Sequence, residues 1–347
     1  MQRSVEGKIA GFEMSKLKDG RDEQILDPDI PIIDSHHHLF DRSPLRYMFE
    51  DYREDAAAGH KIMATVYVET LAMARPDGPE ALRPVGEIEF ANGVAAMSAS
   101  GGYGPCRVAA AIVGYADLRL GEQVAVTLDR SLAAAPDRYR GVRQIAMDHP
   151  DPAILRFLTN KPPKGLLQHP KFRDGFRQLA PRGLSFDAAV LHHQMPEIAG
   201  LAAAYPDTAI VLNHMGLAMA AGLDADGRAD VFRDWREKLR ALSRHENISC
   251  KIGGLGTTYW GFGFNDRQEP TGYLTLAEAW RPYVETAIEA FGASRCMMES
   301  NYPADGRSCG FVPVWNALKH IVSGCSAEEK AALFYGTAAA LYRIPAR

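Results

Sequence analysis

The chain has 347 residues, of which 46% are hydrophobic and 24% are charged, and this composition is typical of a folded globular protein rather than a disordered or fibrous chain. Lys and Arg number 39 against 43 Asp and Glu, so the chain lacks the excess positive charge typical of nucleic-acid-binding proteins. The sequence shows neither an apolar segment of membrane-spanning length nor an N-terminal signal region. The five cysteines are scattered, which indicates free thiols. Together, these features predict a cytoplasmic protein without nucleic-acid or membrane partners.

Eight short apolar segments predict β-strands, because they are rich in β-branched residues and bounded by Gly, Pro, Asp or Asn. The first begins at Pro31 and leads directly into a run of histidines. The other seven lie at residues 62–68, 107–113, 141–147, 184–190, 208–212, 247–252 and 295–298.

Segments with helical spacing separate most of these strands. Their apolar residues recur at intervals of three and four, as on the buried face of a helix. The last helix has a well-marked start, since Ser326 and Glu329 form a capping-box sequence ahead of an apolar run. The clearest of the other helical segments lie at residues 124–135, 195–204, 231–244 and 276–291.

The alternation of strands and helices predicts an α/β fold in which helices cover a parallel sheet. Eight such units in a chain of this length fit a single-domain (β/α)8 TIM barrel, and an open, doubly wound sheet is the alternative. No internal repeat or linker divides the chain. We expect an N-terminal extension at residues 1–28 and the barrel at residues 29–347.

A cluster of histidines ends the first predicted strand. The sequence there is Asp34-Ser35-His36-His37-His38, and strand alternation predicts that Asp34, His36 and His38 share one face. Two imidazoles about 7 Å apart along a strand reach a common ion if the strand end curls. Active sites of TIM barrels lie at the carboxyl ends of the strands, so this position favours a metal-binding or catalytic role over a polar loop.

Polar side chains also follow the other predicted strands. A single polar residue at a strand end is usually a cap or a loop hydrogen bond, but convergence from six strand ends indicates a site. These residues are Glu69, Arg143, His192 and His193, Asn213 and His214, Lys251, and Glu299 with Asn301.

Six motifs in chain order carry a resemblance to a known family. They resemble the amidohydrolase-related TIM-barrel hydrolases, in particular the branch that contains 2-pyrone-4,6-dicarboxylate lactonase, 4-sulfomuconolactone hydrolase and fuconolactonase-like enzymes. The resemblance extends from about Ile32 to Arg343 and implies a (β/α)8 barrel. The motifs are Ile33-Asp34-Ser35-His36-His37-His38, Gly141-Val142-Arg143, Leu184-Ser185-Phe186-Asp187, Leu212-Asn213-His214-Met215-Gly216, Lys251-Ile252-Gly253-Gly254-Leu255 and Met298-Glu299-Ser300-Asn301-Tyr302-Pro303.

The resemblance implies roles for individual residues. His36, His38 and His214 match positions expected to hold one divalent metal ion, with Zn²⁺ the expected ion, and a metal-free site is the alternative because the branch contains both kinds of enzyme. His193 matches a catalytic histidine after the fifth strand. Arg143 matches a Gly-Val-Arg motif that suits a carboxylate clamp, because guanidinium binds carboxylates bidentately.

The sequence departs from the family pattern at the eighth strand, where Asn301 stands at the position of an Asp that activates water. A carboxamide has no basic site, so a hydrolytic reaction needs another base. We favour Glu299, because it lies two residues before Asn301 and shares its face of the strand. In the alternative interpretation Glu299 is buried and paired with Lys251 or Arg143. The other candidate bases are Asp305 and Glu69.

The segment 253–272, after the seventh strand, is long and aromatic for a simple connection. We interpret it as a lid that covers the substrate and contributes Trp260, and the alternative is a subunit contact in a homo-oligomer. Tyr302 and Asp305 follow the eighth strand, at the same carboxyl end of the predicted barrel. The expected substrate contacts are therefore Arg143, Glu69, Lys251, Trp260, Tyr302 and Asp305.

The resemblance, together with these residues, implies an enzyme that opens a small lactone with activated water, its carbonyl polarised by a metal or by His and Arg donors. The alternatives are a metal-dependent decarboxylase on the same barrel and a catalytically silent protein that binds a small molecule. Two cations, Arg143 and Lys251, favour a carboxylated substrate if one of them faces the cavity unpaired. Pairing with buried carboxylates would instead give them a structural role.

Overall fold

The computed structural model describes residues 20–42, 45–155, 158 and 160–345. Eight parallel strands form one sheet in chain order, and a short antiparallel hairpin (β2 and β3) follows the first of them. None of the helices in this described part of the chain is both long and apolar enough to cross a bilayer. The strands are β1 Ile32–His37, β2 Phe40–Arg42, β3 Leu45–Tyr47, β4 Ile62–Val68, β5 Arg107–Gly114, β6 Tyr139–Arg143, β7 Ser185–Ala188, β8 Ile210–Leu212, β9 Ile248–Ile252 and β10 Cys296–Met298.

The sheet curls until its first and last strands meet. Asn301 N donates to the His36 carbonyl (2.9 Å), and His38 N donates to the Tyr302 carbonyl (2.8 Å). These bonds lie just beyond β10 and close the sheet into a barrel. The TIM-barrel prediction is therefore confirmed, and the ends of β1 and β10 are neighbours at the mouth where sites form in this fold.

Helices cover the outside of the barrel. The predicted capping box is present, with Ser326 Oγ accepting from Glu329 N and the Glu329 carboxylate accepting from Ser326 N. The helix that follows contains a π-helical turn at Ala332–Gly336. The helices are α1 Phe49–Ala56, α2 Val85–Ala99, α3 Val124–Ala134, α4 Pro170–Phe176, α5 Met195–Ala204, α6 Ala225–Leu242, α7 Tyr273–Phe291, α8 Phe311–Ile321, α9 Ala327–Ala331 and α10 Thr337–Leu341.

Two apolar clusters stabilise this arrangement. The larger lies between strands and helices, and the smaller includes Val66 of β4, Val113 of β5 and Val211 of β8 with Tyr342 after α10. Burial of such side chains stabilises the fold by about 25 cal/mol per Å² of apolar surface. The smaller cluster packs the barrel interior below the polar side chains, which leaves the carboxyl ends of the strands for the site.

The N-terminal segment is described from Gly20 onward, and residues 1–19 lie outside the described part. Lys319 Nζ of α8 donates to the carbonyls of Leu26 and Asp27 (2.9 Å each), so the end of this segment packs on the barrel. A division at residue 28 stays a prediction.

Candidate functional site

The end of β1 determines which of the clustered side chains enter the barrel. The β1–β4 register shifts between Asp34 and His37, so strict alternation fails there. Asp34 accepts hydrogen bonds from the Tyr52 hydroxyl of α1 (2.7 Å) and from Ser300 Oγ (2.6 Å). Burial raises the pKa of Asp34 to about 6. The prediction that Asp34 shares a face with His36 was therefore wrong, because the irregular register turns its carboxylate toward α1.

His36 and His38 face each other at the mouth. Their Nε2 atoms are 3.2 Å apart, and His38 Nδ1 lies 2.8 Å from the Val68 carbonyl. That carbonyl requires a proton on Nδ1, which leaves the Nε2 of His38 with a lone pair. Burial holds the pKa of both imidazoles well below the usual value, so both are neutral, as metal ligands must be.

Glu299 lies between two imidazoles from other parts of the barrel. Its Oε1 accepts from His214 Nδ1 (2.6 Å), and its Oε2 lies 3.1 Å from His36 Nδ1. The Oε2 atom is buried and has no hydrogen-bond partner of good geometry among the described residues. One nitrogen of each histidine and a carboxylate oxygen all lie within 4.8 Å of one another. This donor set fits a divalent ion such as Zn²⁺.

Two glycines after β9 make room for this set. A Cβ at Gly253 would lie 2.3 Å from Glu299 Cγ, and one at Gly254 would lie 2.3 Å from His214 Nδ1. Gly254 also has a φ of +63°, which side-chain-bearing residues rarely adopt. Gly253 and Gly254 belong to one of the six sequence motifs. Their role could not be predicted from the sequence, because it depends on contacts with Glu299 and His214, which lie on other parts of the barrel.

Arg143 is held by Glu69 at the end of β4. Its Nε donates to Glu69 Oε1 (2.7 Å), and its Nη2 donates to the Glu69 carbonyl (2.6 Å). Both side chains are nearly buried. The Nη1 atom points toward His36 Nε2 (3.3 Å), so Arg143 keeps one donor for the site and does not present a bidentate clamp.

Lys251 is paired inside the barrel. Its Nζ donates to Asp187 Oδ2 (2.7 Å), and both side chains are completely buried. The same Nζ lies 3.4 Å from His36 Nδ1, and the Tyr342 hydroxyl lies 3.1 Å from each Asp187 oxygen. Because Arg143 and Lys251 are both paired, neither is the unpaired cation on which the expectation of a carboxylated substrate depended.

The net charge of the side chains around His36 is compatible with a bound cation. The carboxylates there are those of Glu69, Asp187 and Glu299, whereas the cationic side chains are those of Arg143 and Lys251. With His36 and His38 neutral, these five charged side chains carry an excess of one negative charge. A bound divalent ion would reverse that excess rather than add to an existing positive charge.

Asn301 is fixed by Asp305 on the opposite side of the mouth. Its Nδ2 donates to Asp305 Oδ1 (2.7 Å), and Asp305 Oδ2 accepts from Gly256 N (2.8 Å). Burial raises the pKa of Asp305 to about 8. The backbone of Asn301 is left-handed, with a φ of +52°, which Asn tolerates better than most residues. Among the described residues Oδ1 of Asn301 has no hydrogen-bond partner, and Asn301 lines the pocket.

A pocket of about 230 Å³ opens above these residues. It is smaller than the roughly 300–1,000 Å³ typical of pockets for drug-sized ligands. Of the residues expected from the sequence, His38, Glu69, Arg143, His214 and Asn301 line it, whereas His36, Lys251 and Glu299 lie beneath. Thr257 and Tyr259, from the predicted lid segment, also line it, whereas its other wall residues were not predicted from the sequence and include Phe40, Leu71, Tyr115, Gln144, Met147 and Leu217.

Three expected site residues lie elsewhere. The exposed imidazole of His193 bonds through Nε2 to the Asp148 carbonyl (2.9 Å). Trp260 is fully buried, and its Nε1 donates to the Gly254 carbonyl (2.9 Å). The Tyr302 hydroxyl donates to the Cys309 carbonyl (3.2 Å). None of the three lines the pocket.

The first part of the predicted lid is a packing segment, whereas residues 266–270 are exposed. Its Trp260 lies against Trp235 of α6 and Tyr283 of α7. It reaches the pocket through Thr257 and Tyr259, whose contribution the aromatic pattern did not specify.

Comparison with known proteins finds a matching family model, related sequences and a similar solved structure. The amidohydrolase family model matches residues 33–344. The uncharacterized protein y4mH of Sinorhizobium fredii is 33% identical over 338 residues, which span 91% of this chain and 99% of that protein. An L-fucono-1,5-lactonase of Burkholderia multivorans is 27% identical over 328 residues, spanning 90% and 96%. Among solved structures, an amidohydrolase of Burkholderia multivorans with bound zinc superposes with a TM-score of 0.70 at 23% identity, covering 90% of this chain and 99% of that one.

Proposed function

The chain belongs to the amidohydrolase family, and from this membership we propose that it hydrolyses a small lactone. The observation that carries the proposal is the carboxylate of Glu299, held between His36 and His214 directly beneath a small pocket. Such a set supports attack of water on a carbonyl. The L-fucono-1,5-lactonase relative supports an ester ring as the bond that is opened.

A divalent ion is part of the proposal. His36, His214 and Glu299 would hold it, and His38 stands beside His36 at the pocket floor. The sequence predicts His38 as a ligand and Glu299 as the base, whereas the distances favour Glu299 as a ligand. When bound, such an ion polarises the lactone carbonyl and lowers the pKa of a nearby water.

Side chains that line the pocket bind the carbonyl oxygen, orient the attacking water and accept its proton. Nη1 of Arg143, held in place by Glu69, donates a hydrogen bond to the carbonyl oxygen as negative charge develops on it. Oδ1 of Asn301, oriented by Asp305, accepts a hydrogen bond from the attacking water. His38 lines the pocket with an unprotonated Nε2, accepts the proton of that water, and returns it to the ring oxygen as the acyl C–O bond of the lactone breaks. Glu299 lies too deep to reach it.

The test is hydrolysis of a lactone panel in ¹⁸O-labelled water by protein whose divalent metals have been measured by elemental analysis. We expect one solvent oxygen in each hydroxy-acid product and about one bound ion per chain. Glu299→Gln should lower kcat/KM by about 10–100-fold or more together with metal content. The matched control is Glu289→Gln, an exposed carboxylate on α7. Release of CO₂ from carboxylated substrates without labelled product, or full activity without metal, would contradict the proposal.

A further inference from the structure

The pocket has a polar floor and an apolar wall. The floor presents His38, Arg143, His214 and Asn301, which come from or directly follow barrel strands. The wall is built by connecting segments, which contribute mainly apolar side chains. Among these are Phe40, Leu71, Ile145, Met147, Leu166 and Leu217.

Gln144 and Thr70, two polar side chains of the wall, already have internal partners. Both ends of the Gln144 amide are used, because Oε1 accepts from Leu118 N (2.9 Å) and Nε2 donates to Asp117 Oδ1 (2.9 Å). The Thr70 hydroxyl donates to Glu87 Oε1 (2.7 Å). These groups are therefore poorly placed to bind a substrate hydroxyl.

The same is true on the side formed by the segment after β9. The Thr257 hydroxyl donates to the Gly254 carbonyl (2.9 Å), and the Tyr259 hydroxyl donates to the Ile154 carbonyl (3.0 Å). Outside the floor, the charged lining residues lie at the exposed rim, where Arg119 is paired with Asp117 (2.7 Å) and Lys161 is exposed to solvent. Apart from Tyr115, which accepts from the exposed Asn160 (3.3 Å), the polar groups inside the wall donate to internal partners, so hydrogen-bonding capacity for a ligand is concentrated at the floor, where the ester group must lie.

We infer that the substrate is a lactone with an apolar alkyl or aryl body, and not a polyhydroxylated sugar lactone. This inference rests on the proposed lactone hydrolysis and specifies its substrate class. A buried hydroxyl without a partner weakens binding by about tenfold, and the wall leaves ring hydroxyls without partners. An alkyl or aryl body instead buries its surface against the wall.

The test compares two six-membered lactones that differ in their substituents, δ-octalactone and D-glucono-1,5-lactone, with spontaneous hydrolysis subtracted. We expect kcat/KM for δ-octalactone to be at least about tenfold higher, and a smaller ratio would overturn the inference. Met147→Gln places an unpaired amide in the wall and should reduce this ratio. Met97→Gln, at a half-exposed methionine of α2, is the matched control and should leave the ratio unchanged.

A binding measurement separates failure of this inference from failure of the proposed function. Calorimetric titration with 2-propylcyclohexanone and with a polyhydroxylated cyclohexanone tests the wall without an ester bond. At least about tenfold tighter binding of the propyl compound supports the apolar substrate class even if no lactone is opened. Equal or tighter binding of the polyhydroxylated ketone would overturn the inference even if lactones are hydrolysed.

Discussion

The buried pair of Asp187 and Lys251 offers a quantitative test of how the barrel interior is held together. Nζ of Lys251 lies 2.7 Å from Oδ2 of Asp187, and both side chains have no exposed surface. Asp187→Asn removes the negative charge but keeps the shape of the side chain. The ammonium group is then buried without its counter-ion, which costs about 3–5 kcal/mol of the free energy of unfolding. At about 2–4 °C per kcal/mol, Tm should fall by roughly 6–20 °C.

The assay is urea and thermal unfolding of the single variants and of the double variant Asp187→Asn with Lys251→Met. The double variant should recover much of the lost stability, because it leaves no uncompensated charge. Asp129→Asn is the matched control, since Asp129 pairs with Arg182 at the same 2.7 Å but is mostly exposed, and it should cost no more than about 1 kcal/mol. If Asp187→Asn loses no more than Asp129→Asn, the pair does not stabilise the interior as argued.

Three further outcomes follow from the site. Because burial raises the pKa of Asp305 to about 8, its contribution to stability is fullest below about pH 4 and is lost as pH rises toward 8, so Asp305→Asn should flatten the decline in unfolding free energy over that range. Gly253→Ala should displace Glu299 and lower metal content and kcat/KM, whereas Gly93→Ala, in open space on α2, should change neither. His193→Ala should leave kcat/KM unchanged, because the exposed imidazole bonds only to a backbone carbonyl among the described residues; a large loss would return His193 to the site.

Much of the fold could be predicted because its signals are local. Each of the eight apolar segments contains or overlaps an observed strand, and the helix Met195–Ala204 has the predicted bounds. Strand–helix alternation then leaves few topologies. The orientation of Asp34 could not be predicted, since it depends on how β1 pairs with β4, and the register shift between them is not encoded in the spacing of apolar residues.

The pairing of the buried charged residues could not be predicted from the sequence either. The alternative interpretation of Glu299, a carboxylate buried in the barrel, agrees with its burial, but neither partner considered for it, Lys251 or Arg143, is the one observed. Lys251 pairs with Asp187, Arg143 pairs with Glu69, and Glu299 is left for two imidazoles. The choice among buried counter-ions depends on distances of a few ångströms between strands that are far apart in sequence.

The division between floor and wall determines what the relatives can indicate about this chain. The floor residues come from strand ends, whose positions the barrel fixes, so their chemistry is expected to persist across the family. Wall residues such as Met147 and Tyr259 come from connections, which vary in length and sequence more freely than strands. At 27% identity to an L-fucono-1,5-lactonase, the reaction type is therefore a better-supported inference than the substrate. The hydroxyls of Thr257 and Tyr259 already donate to backbone carbonyls. They therefore favour a substrate that differs from the sugar lactone in its substituents but is bound by the same polar floor residues.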